Sequence, residues 1–197
     1  MNFQAYDYSC LMAVVPEEIA SRLRSFSFAI PDSDVYEIDD EEHGRPREAH
    51  CTVKYGIHTS DPDELSELLS EQDMVQAVLR GVTVFDNDDC VVLKVDVESP
   101  DLARINKLIS SSLKCTDTFP DYKPHITLAY LKHRAEEPKY YRKFLCGMFD
   151  GTEVWFDRFR FSTSVGDSAW IGLNGSFGAG QSRAARASRI ARRIYEH

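Results

Sequence analysis

The chain has 197 residues, 43% of them hydrophobic, and a net charge of −9. That composition suits one folded domain, or two small lobes sharing a core, and excludes a disordered chain. The acidic balance argues against broad binding to duplex nucleic acid, and the longest strictly apolar run, Leu11 to Val15, is too short to cross a membrane.

The predicted elements fall in a repeating order. Residues 9–15 read as a strand, and Pro16-Glu-Glu opens a helix to about residue 28. An acidic polar loop covers 31–47, and a strand beginning near His50 follows. Ser60-Asp-Pro-Asp-Glu signals a helix start, with an early proline and acids in the first turn. That helix leads to a strand over 80–86, and Asn87-Asp-Asp turns the chain into a strand over 90–97. Ser99-Pro-Asp starts the next helix, which runs to about 113 with Leu102, Ile105, Leu108 and Ile109 at helical spacing. A loop over 114–124 precedes a strand beginning at His125. A helix over 137–149 and a hairpin made of 152–164 with 168–173 complete the pattern. Strand, helix, loop, strand, helix and hairpin thus occur twice. The fold class this predicts is α+β, with two pseudo-symmetric lobes, each sheet backed by helices, around a central cleft.

Residues 1–174 are read as this bilobal domain. Beyond it, "GSFGAGQS" reads as a flexible linker and "RAARASRIARRIYEH" as a segment able to form a short basic helix. Residues 175–197 carry five arginines against Glu196, a net +4, which leaves −13 on the body. The tail can hold nucleic acid, dock on the acidic body or mediate assembly. The five cysteines are scattered, odd in number and without a Cys-x-x-Cys pair. They predict neither a disulfide framework nor a thiolate zinc site. With no signal peptide visible, the expectation is a cytoplasmic protein, in the host cytoplasm if viral.

The two strands that begin at histidine are written alike. His50-Cys-Thr52-Val-Lys-Tyr55-Gly-Ile-His58 aligns with His125-Ile-Thr127-Leu-Ala-Tyr130-Leu-Lys-His133. Strand alternation puts His50 and Thr52 on one face, and His125 and Thr127 likewise. Cys51, Val53 and Tyr55 are then expected on the opposite face, with Ile126, Leu128 and Tyr130. If the lobes face each other, two His-Thr pairs meet across a cleft. One imidazole can serve as base and the other as acid, because the free pKa lies near ~6.5. The threonine hydroxyls can donate to phosphate oxygens where charge builds. This is phosphodiester chemistry that needs no metal and no cofactor. His58 and His133 lie about eight residues along, roughly 26 Å if extended, so a four-histidine metal site is not expected.

The duplicated plan with "HCTV" and "HITL" resembles the 2H phosphoesterase superfamily over residues 8–173. The resemblance implies a metal-independent phosphodiesterase using His50, Thr52, His125 and Thr127. Members open 2′,3′-cyclic phosphates at RNA ends, trim RNA tails or cut signalling oligonucleotides. Within the superfamily, "HCTVKYGIH" and "YKPHITLAYL" look most like phage anti-CBASS phosphodiesterases. That implies cleavage of 3′,3′-linked cyclic di- and trinucleotides to linear 3′-phosphate products, against the host's CBASS antiviral defence. The alternatives are an RNA-processing enzyme acting on 2′,3′-cyclic or 2′,5′ linkages, and a catalytically idle nucleotide- or RNA-binding module.

A nucleotide ligand needs stacking platforms. Trp170, Tyr8 and Tyr122 are each either a base platform or ordinary packing. Lys54 shares the even spacing of His50 and Thr52 and is a candidate phosphate contact, with Lys123 a weaker one. Glu48 either orients a ring or is a solvated loop carboxylate. The loop 32–42 is either a lid or a solvated acidic segment.

Overall fold

The structure is a computed structural model that describes residues 7–38, 42–117, 121–133, 141 and 147–174. Its elements are β1 (Ser9–Val14), α1 (Glu17–Ala29), β2 (Glu37–Ile38), β3 (Glu42–His43), β4 (His50–Ile57), α2 (Pro62–Leu68), β5 (Val75–Asp86), β6 (Val91–Glu98), α3 (Pro100–Ser112), β7 (His125–Leu131), β8 (Glu153–Phe156), β9 (Arg158–Ser162) and β10 (Ser168–Gly172). Most of the helix expected over 137–149, and the basic tail 175–197, lie outside the described residues.

Local chemistry sets the helix starts. Pro62 and Pro100 occupy the first turn, where a missing N–H costs nothing. Asp61 and Ser99 cap these helices by accepting from the Asp63 and Leu102 N–H groups. Leu102, Ile105 and Ile109 form one apolar stripe on α3, and all three are fully buried. Burying each is worth roughly 1.5–3 kcal/mol, which holds α3 against β4 and β5.

The expected pair of sheets is one continuous sheet of eight strands, in the order β10-β9-β1-β4-β7-β6-β5-β8. Every pairing in it is antiparallel. Only Asp157 separates β8 from β9 in sequence, yet the two stand far apart in the strand order. The sheet therefore curls until its ends approach, and a bridge between Asp73 and Asn174 ties those ends. The expected hairpin survives only in part. β9 pairs with β10, but β8 pairs with β5. The alternation slips by one here, with Asp157 and Arg158 both outside the buried set between Phe156 and Phe159, so the sequence pattern marks an interruption but not the change of edge.

β4 and β7 meet at one register pair, Cys51 opposite Ile126. Beyond it they run on in opposite directions, and each free edge is covered. On β4, Gly56 O accepts from Thr116 N and Lys114 O from His58 N, at 2.8 and 3.1 Å. On β7, Tyr130 O accepts from Tyr36 N and Gly44 O from Tyr130 N, at 2.8 and 2.7 Å. The described part of the acidic loop thus borders β7, with Val35 bridging to Leu131.

Both histidine strands carry a bulge at the same place. Leu11 faces Lys54 while Met12 faces Thr52, so Val53 is the extra residue on β4. Leu93 faces Ala129 while Lys94 faces Thr127, so Leu128 is the extra residue on β7. A helix side chain caps the carbonyl of each: Asn106 Nδ2 donates to Val53 O at 2.7 Å, and Ser27 Oγ to Leu128 O at 2.6 Å. Each bulge shifts the strand by one residue, so the residues after it change faces. Replacing Ser27 with alanine leaves the buried Leu128 carbonyl unsatisfied, at a cost of about 1–3 kcal/mol. The expected result is a lower urea midpoint with an unchanged m-value; an unchanged midpoint would contradict the capping role.

Candidate active site

The seam brings the two motifs together. Continuing the antiparallel register from Cys51–Ile126 sets His50 opposite Thr127 and Thr52 opposite His125, all on one face. Directly opposite residues have Cβ atoms about 4.5–5.5 Å apart. Cys51 and Ile126 are fully buried on the other face and fix this orientation.

The two rings are held alike. His50 Nδ1 lies 3.0 Å from Glu48 O, and His125 Nδ1 lies 2.8 Å from Lys123 O. A carbonyl only accepts, so each Nδ1 carries the proton and each neutral ring keeps its lone pair on Nε2. Burial lowers both histidine pKa values from the ordinary 6.5, against the raising effect of those carbonyls. The charge of His125 lowers that of His50 further, as expected for rings sharing a site.

Each histidine also has a cation held by a carboxylate beside it. Arg160 on β9 lies near His50, with Nη1 2.7 Å from Glu48 Oε2. The contact is an ion pair without a directed hydrogen bond, and Arg160 Nε is buried with no partner among the described residues. Lys94 on β6 lies near His125, pairs with Asp96 and donates to Thr83 Oγ1 at 2.8 Å. The Phe85 ring stands edge-on to His125, with centroids 5.7 Å apart. The Cys10 thiol lies beside the Thr52 hydroxyl, and burial pushes its pKa up to about 12, so it stays protonated. Sequence reasoning missed Arg160, Lys94 and Asp96. Lys94 and Asp96 flank Val95 in the alternating "VVLKVDV", and strand pairing alone sets them opposite Thr127 and His125.

Several expected residues sit elsewhere. Lys54 follows the bulge, so it turns to the helix face; only 4% exposed, it pairs with Asp117 and donates to Ser110 Oγ at 2.7 Å. It does not share the face of His50. The same shift corrects the expectation for Tyr55 and Tyr130. Tyr55 stands opposite Cys10, and Tyr130 opposite Val92, both on the histidine face. Tyr8 packs on Tyr55 and His58, with centroids at 6.0 and 5.0 Å. It therefore lies at the far end of β4, about 10 Å along the strand from Thr52. Tyr122 packs against the core, and its hydroxyl donates to Thr52 O at 3.0 Å. It supports the seam. Trp170 is on the histidine face, in the row Thr52, Met12, Arg160, Trp170. Three strand spacings, about 14 Å, separate it from Thr52.

Glu48 and Lys123 act on the rings through main-chain carbonyls, which any residue type supplies. His58 bonds Thr116 Oγ1 at 2.8 Å and His133 bonds Asn87 O at 3.0 Å, at opposite ends of the antiparallel pair. Among the described residues, no cluster of three His, Cys, Asp or Glu side chains suits a metal ion. No described helix is long and apolar enough to cross a membrane.

A histidine whose folded pKa lies below its unfolded value binds fewer protons folded than unfolded just below pH 6.5. Its contribution to stability is full above pH 6.5 and is lost as the pH falls through the folded value. NMR titration of the ligand-free chain should place both imidazole midpoints below 6.5. A midpoint above 6.5 at either ring would contradict the buried, neutral site.

Comparison with known proteins bears on the fold and the family. Among solved structures, Usb1 of Kluyveromyces marxianus superposes with a TM-score of 0.51 at 11% identity, covering 86% of this chain and 99% of that one. LigT of E. coli in its apo form gives 0.49 at 14% identity, covering 85% and 94%. No curated protein matches. The Usb1 likeness shows a shared fold. The family model described as the 2′-5′ RNA ligase superfamily matches residues 15–167, which span both histidine motifs. The chain therefore belongs to the 2′-5′ RNA ligase superfamily, the 2H phosphoesterases that its paired motifs resemble.

Proposed function

We propose that this protein is a metal-independent phosphodiesterase that cleaves 3′,3′-linked cyclic di- and trinucleotides to linear 3′-phosphates, counteracting CBASS antiviral defence in a bacterial host. The observation that carries the phosphodiesterase reading is the matched pair of rings. Each has Nδ1–H tied to the carbonyl two residues back, and each faces the other motif's threonine across the seam.

In this reading one neutral Nε2 takes the proton of a ribose 2′-OH. The 2′ oxygen attacks the adjacent phosphorus, the bond to the 5′ oxygen breaks, and the other imidazolium protonates that oxygen. The resulting 2′,3′-cyclic phosphate opens when water, deprotonated at one ring, attacks phosphorus. The 2′ oxygen leaves with a proton from the other ring, and a 3′-phosphate remains. Burial keeps both rings neutral in the empty site. The arriving phosphodiester anion raises the pKa of the nearer ring and creates the acid. Thr52 and Thr127 donate to the non-bridging oxygens, with Arg160 and Lys94 supplying positive charge.

Two features support a cyclic substrate. We read residues 1–174 as two copies of one unit, with 175–197 appended. Equivalent rings then meet a small ring ligand equally in either orientation. A body charge of −13 also favours a compact ligand over a long polyanion. The second reading is RNA processing at 2′,3′-cyclic or 2′,5′ linkages, which the family's description favours. An idle binding module is disfavoured because both motifs are intact.

A chromatographic assay in EDTA tests these readings. It offers cyclic dinucleotides, cyclic trinucleotides, a 2′,3′-cyclic mononucleotide and 2′,5′-oligoadenylate. Histidine-dependent linearisation of the 3′,3′-linked rings is the expected result. Cleavage of only the last two substrates would move the protein to RNA processing. His50→Ala and His125→Ala should each cost at least ~10²-fold. Loss of activity on chelation, restored by a divalent ion, would overturn the mechanism. Arg160→Gln should lower kcat/KM by about tenfold or more, the scale of a charge-assisted phosphate contact; wild-type kinetics would remove Arg160 from the site.

A further inference from the structure

The chain has two tryptophans, and both are half exposed: Trp155 on β8 at 47% and Trp170 on β10 at 53%. These strands occupy opposite edges of the sheet order, and the curl brings both rings onto one groove of about 640 Å³. The groove adjoins the His50 end of the site without including the motif side chains. Its lining includes Val14, the cross-strand partner of His50, and Glu48, whose carbonyl holds the His50 ring. Arg158 also lines it, with its guanidinium 4.6 Å above the Trp170 ring.

One half-exposed indole on a folded surface is ordinary, but two lining one groove beside the histidine site suit a planar ligand. The volume falls within the range of small-molecule sites and leaves room for a nucleoside. The groove's charges are largely matched: Glu17 pairs with Arg24, Glu48 with Arg160, and Asp157 lies 3.9 Å from Arg158. Ionic attraction is therefore a small part of what it offers, and stacking is the larger part. Trp170 also lies three strand spacings from Thr52, an arc of about 14 Å along the sheet, and no motif residue lines the groove, which suits a base beyond the nucleosides joined at the scissile phosphate.

We infer that this groove is a stacking subsite for a nucleobase one nucleotide removed from the scissile phosphodiester, so that the preferred substrate contains at least three nucleotides. The inference rests on the phosphodiesterase reading for the position of the scissile bond, and it narrows the substrate class of that site. In a ring the occupant is the third nucleoside. In a linear strand it is the next nucleotide on the His50 side.

Because both indoles line the groove, tryptophan emission reports on it without turnover. The full-length His50→Ala variant is titrated with cyclic triadenylate, linear triadenylate and cyclic diadenylate, at low and high salt. The expected result is quenching by one or both three-nucleotide ligands. At least one of them should bind tenfold or more tighter than the dinucleotide, by the usual worth of one base stack. That preference should persist at high salt, because stacking is not screened as phosphate contacts are. In Trp170→Ala, followed through Trp155, and in Trp155→Ala, followed through Trp170, the preference should fall toward one. Both side chains are half exposed, so neither change empties the core; circular dichroism checks the fold. Equal affinity for two- and three-nucleotide ligands, or a preference that survives both substitutions, would overturn the subsite. Quenching with the expected preference in a wild-type chain that cleaves none of these ligands would leave the subsite standing and overturn the phosphodiesterase reading.

Discussion

The site depends on one short contact, the pairing of β4 with β7 at Cys51 and Ile126. The two strands overlap only where the motifs lie, so the residues that join the halves of the sheet also make the site. Fully buried Cys51 and Ile126 leave His50, Thr52, His125 and Thr127 no other face to occupy. The seam is reinforced beside the motif, where the Tyr122 hydroxyl donates to Thr52 O. The bulges at Val53 and Leu128 belong to the same construction. They keep the motif on one face, send Lys54 into the helix layer and return Tyr55 and Tyr130 to the histidine side.

The electrostatics follow from this placement. Two imidazoles in a partly buried site resist protonation, and their Nδ1 protons are committed to main-chain carbonyls. Beside them, Arg160 and Lys94 are each compensated by a carboxylate, so the empty site carries little net charge. An anionic ligand changes that balance. Arg160 has the looser partnership, an ion pair without a directed hydrogen bond and a buried Nε without a partner. It is therefore the cation better placed to turn toward phosphate.

The repeated motif made much of this legible in the sequence. That His50, Thr52, His125 and Thr127 share one face is readable because short-range alternation places side chains reliably until something interrupts the strand. The caps at Asp61 and Ser99, and the stripe on α3, were equally readable, since each depends on neighbours a few residues apart. What escaped depends on contacts distant in sequence. A bulge is decided by the partner strand, so simple alternation sets Lys54, Tyr55 and Tyr130 on the wrong face. The exchange of edge at Asp157 does interrupt the alternation, at Asp157 and Arg158, but the interruption does not say which strand each side pairs with. Arg160 joins His50 only because β9 lies beside β1, more than a hundred residues away in sequence. Glu48 and Lys123 hold the rings through carbonyls, which no side-chain pattern encodes.

The central claim is that the two histidines divide acid and base work at one phosphodiester. Its most direct test is the pH dependence of single-turnover cleavage in EDTA, measured for the wild type, His50→Ala and His125→Ala. The account predicts a bell-shaped wild-type profile with its acid limb below pH 6.5, and the loss of one limb, a different one, in each variant. A full bell retained in either variant would contradict it, and so would a wild-type rate that shows no acid limb.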